Sequence, residues 1–140
     1  MAARRRPIRR GLPHLITSRG RVFVLVGRNT FSAAIVTAEL LKQYGGQRVI
    51  LVGETMGDAV LFWAEGGEIV LPNSKMDATY TNGFHNLAHG CSDPDRCYWG
   101  DVAVGLKAVS LEPEIRIVST FAEYAAGHDP ALDRVLSVTR

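Results

Sequence analysis

Two short, wholly apolar runs, Val22-Phe23-Val24-Leu25-Val26 and Val49-Ile50-Leu51-Val52, restrict this chain more than any other feature. Each is rich in β-branched residues and each stops at a glycine, Gly27 or Gly53, as a buried strand does. Between them Ile35, Ala38 and Leu41 recur at helical spacing. Asn29 and Thr30 stand where they can cap that helix near Ser32, and Gly45-Gly46 where they can end it. Strand, helix and strand within about thirty residues make a βαβ unit, which demands parallel strands and a right-handed crossover. The chain is therefore expected to be α/β.

The rest of the pattern is looser. Residues 59–71 alternate around Gly66-Gly67, which predicts a hairpin turning there, and Met76 to Thr81 predicts an extra strand. Residues 83–100, rich in Gly, Asn, Asp and His, read as a long loop. A short strand is expected around Ile115 to Val118, and a helical C-terminal segment over residues 121–127 and 130–138, with Asp129 as N-cap and Pro130 at the first helical position. A chain of 140 residues can bury roughly 68% of its unfolded surface. It needs no metal or disulfide to hold a core, so Cys91 and Cys97 do not mark a disulfide scaffold. No apolar run approaches the ~20 residues of a membrane-spanning helix. The arginine-rich start leads into Gly11, Pro13 and His14 instead of a signal-peptide stretch, so the expectation is a cytoplasmic protein without a membrane span.

Charge is placed unevenly. Residues 1–21 carry seven arginines and no acid, while the remainder has nine basic and fourteen acidic groups. Residues 1–20 are expected to be a basic flexible arm ahead of an α/β domain over residues 21–140. Without interleaved aromatic residues, such an arm grips phosphates only through nonspecific counterion release, so no specific nucleic-acid partner is expected.

The serine at the end of the first strand is the leading candidate for chemistry. Ser32 lies where a strand passes through Gly27-Arg28-Asn29-Thr30-Phe31 into the first turn of a helix. Free N–H groups at a helix start can stabilise an oxyanion, and the helix dipole favours negative charge on the serine oxygen. The competing explanation is a serine that merely caps the helix.

The run from Val22 to Ala34, then Val49 to Gly57, Leu71-Pro72-Asn73-Ser74, Leu111-Glu112-Pro113-Glu114-Ile115 and Ala126-Gly127-His128-Asp129-Pro130 resembles the C-terminal half of the tail-specific (C-terminal processing) serine peptidases. The resemblance covers about residues 20–136 and is closer to the branch of the tricorn core protease and the retinoid-binding-protein repeats than to the Ser-Lys branch. It implies a partial ClpP/crotonase-like domain with a βαβ unit, an added hairpin and a C-terminal helix. It also implies peptide-bond hydrolysis through Ser32, with the N–H of Ala33 forming half of an oxyanion hole. Asp58 stands where the Ser-Lys branch carries its lysine, and Lys107 stands near an acidic position of the tricorn-like branch. Lys107 is the alternative base for Ser32, since a desolvated lysine can act as an amine. Members of the family carry a peptide-binding domain and further core strands ahead of the nucleophile. The implied partners are therefore a peptide or protein substrate and a homo-oligomeric copy or partner that supplies the missing half. No cofactor is implied. The alternative function is a noncatalytic relative acting as an interaction or ligand-binding module.

Three further groups invite chemistry. His85, His89, Cys91 and Cys97, spaced His-x3-His-x-Cys-x5-Cys, have the donor types of a zinc site, although a small disulfide loop or two free thiols fit the same residues. Glu54, Asp58, Glu112 and Glu114 offer paired carboxylates for acid-base work, or else turn and cap contacts. Trp63, Tyr98 and Trp99 are expected to be packing or interface residues instead of a ligand cage.

Overall fold

The computed structural model describes residues 20–93, 95–108 and 110–139. The basic arm expected over residues 1–20 lies outside the described residues, apart from Gly20. The described chain is a mixed α/β structure in two compact units, residues 20–59 with 110–139, and residues 60–108.

The first unit contains the expected βαβ element. Strand β1 (Val22–Val26) leads into helix α1 (Ala33–Gly45), and a 3-10 turn over Gly46–Arg48 delivers β2 (Val49–Gly53). Strands β1 and β2 run parallel, with Val22 opposite Val49 and Val26 opposite Gly53. A two-residue strand, β7 (Ile115–Arg116), joins the other side of β2, also parallel, giving the order β1-β2-β7. Helices α3 (Phe121–Ala125) and α4 (Pro130–Val138) follow, and α4 packs against β1 and β2. Asp129 caps α4 as expected, its Oδ1 accepting the N–H groups of Ala131 and Leu132 at 3.0 Å. Thr120 and Glu123 form a reciprocal capping box on α3.

The core of this unit is Ile35 and Ala38 of α1 against Val49, Leu51 and Val52 of β2, closed by Val26, Met56 and Leu111. Strand β1 corrects the expectation of a fully buried strand. Only Val26 is buried and Leu25 is exposed, because β1 is paired on one side only among the described residues.

One acid lies inside this core. Glu39, on the same stripe of α1 as Ile35, is 3% exposed, and its Oε1 has no hydrogen-bond partner among the described residues. Burial, reinforced by the negative charge of Glu114, pushes its pKa from 4.5 up to about 7, against the opposing pull of Lys42. Glu114 is better provided for. Burial raises its pKa, but the Lys42 ammonium and the Leu51 N–H, donating to its carboxylate, outweigh that and hold it below the ordinary value. The Leu51 contact, at 2.7 Å, satisfies a β2 N–H that the short β7 does not reach.

The second unit departs from the sequence expectation. Strands β3 (Leu61–Ala64) and β4 (Gly67–Val70) flank Gly66 but do not pair with each other. Instead β3 pairs antiparallel with β6 (Gly83–Asn86), and β4 with β5 (Asp77–Tyr80). Both ladders share one register, so the four strands are a single long hairpin. It is interrupted where Glu65 and Gly66 take positive φ, 55° and 122°, opposite Thr81 and Asn82. The chain reverses at residues 71–76, where Leu71 N–H bonds Met76 O and Lys75 N–H bonds Leu71 O. The loop expected over residues 83–100 is instead strand β6 at its start and the first turn of α2 (Trp99–Val104) at its end.

Glu39 gives the first unit a distinctive pH dependence. Between about pH 4.5 and 7 the folded chain holds a proton on Glu39 that the unfolded chain has released, so folding stability falls as pH rises through this window. Glu114 has the opposite sign, and its contribution is lost only as pH falls below the ordinary carboxylate range. Urea denaturation of Glu39→Gln beside the natural sequence should show the variant gaining about 1–3 kcal/mol in relative stability from pH 4.5 to 8 and levelling above pH 7. A difference that is flat with pH would contradict this.

Candidate active site at the turn between β1 and α1

The segment from Val26 to Ser32 is tightly organised. Thr30 N–H bonds Gly27 O at 2.8 Å, and Gly27 N–H in turn bonds the Thr30 hydroxyl at 3.0 Å. Residues 53–57 are laid over it, with Glu54 N–H donating to Val26 O and Gly57 N–H to Thr30 O. This contact dictates both glycines. A Cβ on Gly53, which also has φ 131°, would overlap the Val26 carbonyl oxygen, and one on Gly57 would overlap that of Arg28. Arg28 Nε donates to Glu54 Oε2 at 2.8 Å, and Ser119 N–H reaches Glu54 Oε1 at 3.3 Å.

Ser32 emerges from this turn at φ 53° and ψ −126°, a conformation that side-chain-bearing residues rarely adopt. A capping serine has extended backbone and bonds an N–H of the first turn. Ser32 does neither: its side chain makes no cap hydrogen bond, and Ala34 N–H is taken by Phe31 O. The strain is thus not offset by a cap. A sharp strand-to-helix turn with a strained serine is the arrangement that presents a nucleophile at the head of a helix. Ala33 is the first residue of α1, and its N–H is one of the four that a helix start leaves without an intrahelical acceptor.

The other sequence candidates are placed as follows. Ser32 and Ala33 are adjacent in one unit, whereas Lys107 belongs to the other, its stem lying against Gly90. Cys91 and Cys97 are joined in a disulfide with Cα atoms 5.8 Å apart, so they are not free zinc ligands. His85 is 4% exposed, and its Nδ1 lies 2.9 Å from Asp101 Oδ2. Phe62 stacks on the His85 ring at 4.5 Å, and Tyr98 leans on it at 4.8 Å. Burial raises the Asp101 pKa against the pull of His85. Among the described residues no three histidine, cysteine or carboxylate groups converge as a metal site.

The paired carboxylates prove to be fasteners. Glu112 accepts the Thr55 hydroxyl at 2.7 Å, Glu114 holds Lys42 and Leu51, and Asp58 accepts the N–H of Ala59. Trp63 and Trp99 are exposed, with rings against Phe84 and Tyr98. Sequence reasoning missed the Arg28–Glu54 pair, which joins two motifs 26 residues apart.

Comparison with protein-family models, curated proteins and solved structures returns no match. No helix among the described residues is long and apolar enough to cross a membrane.

Strain at Ser32 has a measurable counterpart. Glycine adopts positive φ without penalty, so Ser32→Gly should stabilise the fold by about 1 kcal/mol, while Ser32→Ala, which keeps the Cβ, should not. Urea midpoints of the two variants decide the matter. A destabilised Ser32→Gly would contradict the strain argument.

Proposed function

We propose that the chain is a serine-type peptidase-like hydrolase of ClpP/crotonase-like architecture, related to the tail-specific peptidases, with Ser32 as nucleophile. One observation carries this reading: Ser32 is held at φ 53° and ψ −126° at the start of α1, with its hydroxyl making no cap. In the proposed reaction the Ser32 Oγ attacks a peptide carbonyl carbon and yields its proton to a base. The oxyanion is received by the Ala33 N–H, and the carbon–nitrogen bond breaks as the leaving amine is protonated. Water then hydrolyses the acyl-serine and restores the hydroxyl.

A second reading is a noncatalytic binding module that retains the turn. It is favoured by the separation of the candidates: Ser32 makes no cap hydrogen bond, and Lys107 belongs to the other compact unit. A serine without such a base is a weak nucleophile.

Intact-mass analysis after exposure to a fluorophosphonate separates the two. The peptidase reading expects a single adduct on the natural chain that is absent from Ser32→Ala and retained in Thr37→Ala, where another α1 hydroxyl is removed. Absence of any adduct on a chain shown to be folded by circular dichroism would leave the binding module.

A further inference from the structure

A pocket of about 270 Å³ opens at the carboxyl ends of β1 and β2, walled by residues 25–30, by Gly53 and Glu54, by Ile117 and Ser119, and by Asp129 and Ala131 at the start of α4. Crevices outside the carboxyl ends of parallel strands are where open α/β sheets bind ligands. The volume suits one side chain or a small fragment, not a nucleotide cofactor. Leu25, Ile117 and Ala131 give it aliphatic walls.

The polar groups of this pocket are unequally engaged. Both oxygens of Glu54 accept hydrogen bonds from the chain itself, Oε2 from Arg28 Nε and Oε1 from Ser119 N–H. Asp129 accepts two N–H groups of α4 on Oδ1, and its charge stands at the positive end of that helix. Arg28, by contrast, spends only its Nε on Glu54, leaving the two Nη groups of a five-donor fork. A guanidinium fixed through Nε presents its Nη groups as donors, the geometry suited to a carboxylate. The Arg28 side chain is 81% exposed, so these Nη donors stand open to an incoming ligand beside the engaged carboxylate of Glu54.

We propose that this pocket is a carboxylate-binding subsite in which Arg28, oriented by Glu54, receives an acidic side chain of the substrate. Thr30 lines the pocket and Ser32 lies two residues further along, at most about 7 Å away between Cα atoms. The acidic residue is accordingly the one beside the bond that Ser32 attacks, a placement that rests on the peptidase reading. The carboxylate site itself stands without it.

The test titrates the full chain with N-acetyl-L-glutamate α-amide, whose only charge is on its side chain, and with its glutamine and lysine counterparts. N-acetyl-L-alanine adds an arm with an α-carboxylate instead. Binding is followed by amide NMR shifts. The glutamate compound should shift Gly27, Arg28 and Ser119 and bind at least tenfold tighter than the other three. That preference should fall below threefold in Arg28→Gln and in Arg28→Lys, which keeps the charge and loses the fork. Equal binding of glutamine, preference for lysine, or shifts confined to other residues would overturn the subsite. Tighter binding of N-acetyl-L-alanine would overturn the side-chain assignment. Glutamate binding by a chain that no fluorophosphonate labels would support the subsite and sink the peptidase reading. Labelling without any carboxylate preference would do the reverse.

Discussion

The backbone contact between residues 53–57 and the turn after β1 is the constraint on which the candidate site depends. Glu54 and Gly57 donate N–H groups to Val26 O and Thr30 O, and the approach is so close that neither Gly53 nor Gly57 could carry a side chain. Strands β1 and β2 are already in register through Val26 and Gly53. The two hydrogen bonds extend that ladder past its end and leave the chain little choice in how it enters α1. Ser32 inherits its conformation from this overlay. A strained residue persists only where its surroundings over-determine it, and here two strand ends, a threonine bridge and the head of a helix do so together.

A second set of contacts holds α1 against the sheet at its other end. Lys42 reaches both Val49 O and Glu114, and Glu114 completes the β2 ladder through Leu51 N–H. Glu39 is the odd member, an acid on the apolar stripe that gains no compensating hydrogen bond. Burial favours its neutral form, so the helix that carries Ser32 at its start holds a titratable group at its middle, on the buried side.

Much of this was legible in the residues. The apolar runs with glycine stops gave β1 and β2, helical spacing gave α1, and Asp129-Pro130 marked the start of α4. Glu39 was passed over, although it stands four residues after Ile35 on the core stripe, because an acid at that spacing reads as solvent-facing. The long hairpin was not legible either. Gly66-Gly67 has the local chemistry of a reversal, but the pairing of residues 61–70 with 77–86 is a register choice between distant segments that no local window contains. Pro72-Asn73-Ser74 carried the turn signal that proved decisive. Ser32 was identified by its place in the sequence, yet what separates it from a capping serine is its φ and ψ and an unmade hydrogen bond, and neither is written in residue types.

The proposed role of Ser32, a strained nucleophile beside the Ala33 N–H, is tested in both halves at once by a crystal structure of the chain after reaction with a phosphonate. The expected result is phosphorus bonded to Ser32 Oγ, with a phosphoryl oxygen about 3 Å from the Ala33 nitrogen. A phosphonate on any other residue, or one on Ser32 whose oxygens face away from Ala33, would contradict it.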